Sequence, residues 1–248
     1  MSWHQKFQIS AQAVAWDDAY SQPNYNTFIW ELQKARLRQI FARLQKAKPT
    51  LRHLDFACGT GRVMLGVEDF VSQSVGIDVS PQMITRARAK LPCAEFRHGD
   101  ILANADLLDG QYDVITAFRF FLNADPEVRT PVLRLLGQHL SGEHARLIFN
   151  IHSNVFSYLG LRNALLPLPN EQSMSFASVC RHIEEAGLAI ESWYGFGIFP
   201  FRRLHSTWLS RWLQKSDSWA AQRGWLRRVS GDLLFVCRVP ETVISPVP

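Results

Sequence analysis

Apolar runs long enough to cross a bilayer are missing from this chain of 248 residues, so no membrane-spanning helix is expected. The opening residues, Met1-Ser2-Trp3-His4-Gln5-Lys6, lack the apolar core of a signal peptide. Cysteine is scarce. Cys58, Cys93, Cys180 and Cys237 have no paired spacing, which argues against both a zinc site and a disulfide framework. A reduced, cytoplasmic protein without a metal is the expectation. Internal repeats and low-complexity tracts are also missing. Acidic residues are nearly lacking from 198–230, where Arg202, Arg203, Arg211, Lys215, Arg223, Arg227 and Arg228 face Asp217 alone. A basic stretch of this kind suits nucleic acid, anionic headgroups or a phosphorylated small substrate, and equally a solvated helical face.

The hydrophobic content of 47% is that of an ordinary globular chain with a sizeable core. From Thr27 onward, Phe28, Leu32, Ile40, Phe41 and Leu44 recur near helical spacing until Pro49. Short apolar runs then alternate with helical patterns. Strands are expected at Leu51–Ala57, up to Asp78, at Ala94–Arg97, Tyr112–Phe118, Ala145–Ile151, Ala189–Phe196 and Asp232–Val239. Ser80-Pro81 and Asp125-Pro126-Glu127 read as helix starts. Further helices are expected near Val155–Leu165 and over Ser178–Ala186. Alternation of this kind predicts a parallel sheet with helices on both faces.

The most informative stretch is Leu54-Asp55-Phe56-Ala57-Cys58-Gly59-Thr60-Gly61-Arg62, a buried strand turning through two glycines into a helix. Glycine at such a turn lets the backbone approach a ligand. A second apolar strand ends in Asp78, where nucleotide-binding α/β folds place a carboxylate on a ribose diol. A third leads into Gly99-Asp100-Ile101. The dinucleotide fingerprint Gly-x-Gly-x-x-Gly is incomplete, because Met64 replaces its last glycine, and this counts against a nicotinamide or flavin enzyme.

Asp55 with Gly59-x-Gly61, then Asp78, then Gly99-Asp100-Ile101, over roughly Leu51 to Ile151, resembles the class I S-adenosylmethionine-dependent methyltransferases. The pattern is similar to the small-metabolite group, which includes ubiquinone-biosynthesis enzymes (methyltransferase types 11 and 25). The resemblance implies a Rossmann-like, seven-stranded, mostly parallel sheet with an antiparallel last strand pair. It implies one domain over 1–248, with residues 1–50 as a helical lid and 198–230 as a basic, tryptophan-containing insertion. It also implies a cofactor site: Asp55, Ala57, Gly59 and Gly61 around the amino-acid portion, Asp78 on the ribose, and Val79 and Met83 flanking the adenine. Asp100 and the Ile101 amide would read the adenine edge, and Phe118 would lie by the methionine moiety.

Other readings stand beside these. Asp55 could cap its turn and Asp78 the helix near Ser80. Cys58 reads as a small buried residue rather than a nucleophile. For catalysis the candidates are His152, which titrates in the range of a general base, and Asn123. Tyr20, Arg119, Arg202 and Arg203 are candidates for holding substrate. No Asn/Asp-Pro-Pro-Tyr motif follows the fourth strand, where Thr116-Ala117-Phe118-Arg119-Phe120 stands. A small-molecule acceptor is therefore expected, with a hydroxyl on a sugar, a lipid-linked intermediate or an aromatic metabolite. RNA methylation and a non-catalytic, cofactor-binding regulator are the alternatives.

Overall fold

A computed structural model of the chain describes residues 24–165, 173–198, 216–217, 219–220 and 223–240. Helix α1 (Tyr25–Ala47) begins where the Asn24 side chain accepts from the Thr27 amide at 3.1 Å. The chain then alternates: β1 (Arg52–Phe56), α2 (Arg62–Val67), β2 (Gln73–Asp78), α3 (Pro81–Lys90), β3 (Glu95–His98), β4 (Val114–Ala117), α4 (Pro126–Gln138) and β5 (Arg146–Ile151). Two helices, α5 (Tyr158–Leu165) and α6 (Phe176–Glu185), precede β6 (Ala189–Phe196) and β7 (Asp232–Arg238). As expected, Ser80 caps α3, accepting from the Met83 amide at 3.4 Å, and Pro81 follows it. Asp125 precedes α4 without a side-chain cap bond.

The seven strands form one sheet in the order β3-β2-β1-β4-β5-β7-β6. Neighbours are parallel from β3 to β5, whereas β7 runs antiparallel to both β5 and β6. This is the expected fold class. The order reverses direction at β1, between β2 on one side and β4 on the other. Such a switch point opens a crevice at the carboxyl ends of the strands.

Side chains alternate between the two faces with the period of a strand. On β7, Leu233, Phe235 and Cys237 pack beneath α4 and α6, together with Phe121 and Phe149. Leu234 and Val236 point the other way, toward α1. The first layer is knit by a ladder of rings, Phe121 stacked on Phe149 at 4.6 Å and Phe149 on Phe235 at 5.4 Å. On the opposite face α1 buries Ile29, Trp30, Leu37, Ile40, Phe41 and Leu44. At roughly 1.5–3 kcal/mol for each such side chain, α1 is a fixed layer of the fold. Of the lid expected over 1–50, residues 1–23 lie outside the described part. Gly76 sits where neighbouring side chains leave no room for a Cβ on β2. A Cβ there would lie 2.8 Å from the Phe96 ring and 2.9 Å from Met64 Sδ.

Of the basic stretch, the described arginines lie on aromatic faces. Arg223 covers Trp219 at 4.3 Å, Arg227 covers Trp193 at 4.8 Å and Arg228 covers Phe176 at 5.5 Å. Its one acidic residue, Asp217, is buried and accepts from the amides of Gly197 and Ile198. No helix among the described residues is long and apolar enough to cross a membrane.

Candidate active site

A cleft of about 780 Å³, open to solvent, lies at the carboxyl ends of β1, β2 and β4. The glycine turn after β1 forms its floor. Gly61 has φ +79°, and a Cβ there would meet Leu91 at 3.0 Å, so glycine satisfies both the angle and the packing. Two cleft residues hold positive φ without being glycine, Ala57 at 55° and Arg119 at 60°. Backbone held in this region costs energy and persists only where the surroundings enforce it. At Arg119 the enforcement is visible: its amide donates to Asn150 Oδ1 at 2.8 Å. Asn150 is buried on β5 and in turn donates to Gln33 of α1 at 3.4 Å.

Two carboxylates define the polar side of the cleft. Asp78 ends β2. Its Oδ2 accepts from the Gly59 amide at 2.8 Å, and Oδ1 accepts from the Ser80 amide at 2.9 Å. Burial raises its pKa above the usual carboxylate value, against the pull of those backbone donors. Asp55 lies near the end of β1 and is 1% exposed. Its Oδ1 accepts from the Thr116 hydroxyl at 2.6 Å, while its buried Oδ2 has no partner among the described residues. Burial lifts the Asp55 pKa to about 7; Thr116 and Arg62 pull it down and Asp78 pushes it up. Arg62 opens α2 with its guanidinium 4.2 Å from the Trp30 ring of α1. Trp30 also meets Phe118 edge-on at 6.2 Å, so the amino-terminal half of α1 stands behind the cleft wall.

Of the residues expected to contact a cofactor, the structure brings Asp55, Ala57, Gly59, Asp78, Val79, Met83 and Phe118 into this cleft. Gly61 forms the turn beneath it. Asp100 and Ile101 are not among the lining residues; Gly99 is. Asp100 Oδ1 accepts from the Leu102 amide at 2.9 Å, closing a turn of the kind aspartate favours, and the Ile101 side chain is buried in the core. The acidic pair that shares the cleft is thus Asp55 with Asp78. Arg119 and Asn123 line it as well. The Asn123 side-chain amide donates to the Arg119 carbonyl. His152 follows β5 and is not among the lining residues. Tyr20, Arg202 and Arg203 lie outside the described residues.

Phe56, Thr60, Arg62, Val63 and Phe120 line the cleft without having been singled out as site residues. Thr60 and Arg62 sit inside the glycine motif, and Phe120 stands two places after Phe118, so position relative to the motifs was the available signal. Cys58 also lines it; its thiol is pushed well up by burial and by Asp78 and Asp55, in keeping with an unreactive residue.

Residues 54–142 match a family described as a methyltransferase domain. Similar solved structures include magnesium protoporphyrin IX methyltransferase from Synechocystis PCC 6803 with bound S-adenosylhomocysteine. It is 18% identical, with 94% of this chain and 96% of that one covered and a TM-score of 0.63. A S-adenosylmethionine-dependent methyltransferase from Archaeoglobus fulgidus is 20% identical, covers 84% and 93%, and has a TM-score of 0.58. The structure of DhpI with S-adenosylmethionine and a ligand named HEP gives 15%, 94% and 94%, and 0.58. Among curated protein sequences nothing matches. At these identities the structural likeness is one of fold. The chain therefore has the fold of these methyltransferase structures, and its residues 54–142 match the methyltransferase-domain family.

Proposed function

We propose that this protein transfers a methyl group from S-adenosylmethionine to a small-molecule acceptor bearing a hydroxyl, of sugar, lipid-linked or aromatic type. The observation that carries the cofactor assignment is the orphaned Asp55 Oδ2, buried on the wall of a cleft whose other carboxylate is tied to the glycine turn. A buried acceptor without a donor is costly, and a ligand ammonium would satisfy it. Asp78 retains lone pairs for a ribose diol after its two backbone bonds. Val79 and Met83 offer apolar surface for a purine, with Asp100 and the Ile101 amide beside the Gly99 backbone for its edge. The bound cofactor supplies an electrophilic methyl group on a sulfonium.

What the chain adds is position and exclusion of water. Phe118 and Phe120 line the cleft on either side of Arg119, with their rings packed in the core. Holding two reactants in line accounts for much of the rate in such transfers. Arg119 offers a guanidinium in the same cleft for an acidic group on the acceptor or for the cofactor carboxylate. His152 remains the candidate base for a hydroxyl acceptor.

Incubating the protein with methyl-labelled S-adenosylmethionine and a fractionated metabolite extract tests this. Label should enter a small molecule, and D78A should abolish the transfer. Label appearing only in RNA, or in nothing while the cofactor binds, would favour the other readings.

A further inference from the structure

His53 lies two residues before Asp55 on β1, on the same face of the strand, and is fully buried against Phe41 of α1. A charged imidazole would be very costly there, and burial lowers its pKa to about 3. Its polar atoms are nonetheless matched across three strands. Ser74, its register partner on β2, lies 3.0 Å from Nδ1, and Thr116 Oγ1 on β4 lies 2.8 Å from Nε2. Thr116 is the register partner of Asp55 and spends its single proton on Asp55 Oδ1. With Asp55 ionised, it must then accept from His53 Nε2–H, which leaves Nδ1 to accept from the Ser74 hydroxyl. One directed chain results, Ser74 to His53 to Thr116 to Asp55, and it ends at the cleft.

We propose that Thr116 and His53 are positioning residues for the cofactor: they hold Asp55 Oδ1 so that Oδ2 faces the cleft, and binding of an ammonium group there drives a proton off Asp55 into solvent. The inference rests on the cofactor reading given above. The groups that face Asp55 are few. Arg62 of α2 favours its ionised form, Asp78 at the end of β2 opposes it, and the Cys58 thiol of the turn stays neutral. Arg119, beyond β4, lines the same cleft. His53, being neutral, contributes no charge; it fixes the direction in which the Thr116 hydroxyl points. A hydrogen bond given to a carboxylate favours its ionised state, so this chain sets the pH at which the site accepts a cation.

The test compares S-adenosylhomocysteine with 5′-methylthioadenosine, which keeps the adenine and ribose but lacks the amino-acid group. Both are titrated into the whole protein across neutral pH, in two buffers of different ionisation enthalpy. Any titration of Asp78 is common to the two ligands and cancels in their affinity ratio. For the unaltered protein the ratio should rise with pH through neutrality, and only S-adenosylhomocysteine should release a proton. T116V should move that midpoint up by about one pH unit and weaken S-adenosylhomocysteine roughly tenfold at neutral pH, with 5′-methylthioadenosine unchanged. H53L should move it the same way by less, and T116S should restore it. Equal weakening of both ligands by T116V and H53L, or a midpoint that does not move, would reduce these residues to structural ones and overturn the proposal. Binding of 5′-methylthioadenosine without any gain from the amino-acid group would overturn it too. If neither ligand binds at any pH, the cofactor reading itself falls.

Discussion

The Gly59 amide donates to Asp78 Oδ2 at 2.8 Å, so the turn that follows β1 is fastened to the end of β2 by a side chain of the site itself. Asp78 therefore has two tasks, shaping the turn and presenting lone pairs to the cleft. D78A removes both. With the lone pairs it offers a ribose diol lost, at roughly 1.5–3 kcal/mol for each of two bonds to a charged group, affinity for S-adenosylhomocysteine should fall at least a hundredfold. The melting temperature should fall as well. D78N keeps one acceptor oxygen and should lie between the two in both measurements.

His53 and Asp55 give opposite slopes of stability against pH. Asp55 holds its proton in the folded chain up to about 7 and, unfolded, loses it near 3.8. Between those values the unfolded state binds fewer protons, so this group lowers stability as pH rises. His53 stays neutral when folded down to about 3 and, unfolded, takes a proton below 6.5. Between those values the unfolded state binds more protons, so this group raises stability as pH rises. From about pH 4 to 6.5 the two slopes, each about 1.4 kcal/mol per pH unit, offset one another. Urea unfolding of ligand-free D55N should show stability climbing with pH across that window, and H53Q should show it declining. Parallel curves for the two variants would contradict the assigned protonation states.

The sheet was legible because its signals are local and repeated. Apolar strands, Ser80-Pro81 and the glycine turn each specify their own geometry, and their order fixes a parallel architecture. Helix boundaries were less so: the helix expected over Ser178–Ala186 runs from Phe176 to Glu185, because Ser175 supplies the cap. The site was legible where it coincides with motifs. Asp55, Gly59 and Asp78 could be named from the family resemblance that their motifs carry. The relay behind Asp55 could not, since Ser74, His53 and Thr116 come from three strands and meet only through register. Asp100 carried a motif signal; that its Oδ1 also closes a local turn is something spacing does not reveal. Arg119 was visible as a charge, but its enforced backbone depends on Asn150 and Gln33, both distant in sequence.

The cleft between Asp55 and Asp78 should take a sulfonium nucleoside rather than a dinucleotide. Isothermal titration of the whole protein with S-adenosylmethionine, S-adenosylhomocysteine and a nicotinamide dinucleotide measures this directly. Saturable one-to-one binding of the first two, lost in D78A, and no heat from the third are expected. Binding of the dinucleotide in preference to both, or undiminished binding of S-adenosylmethionine by D78A, would contradict it.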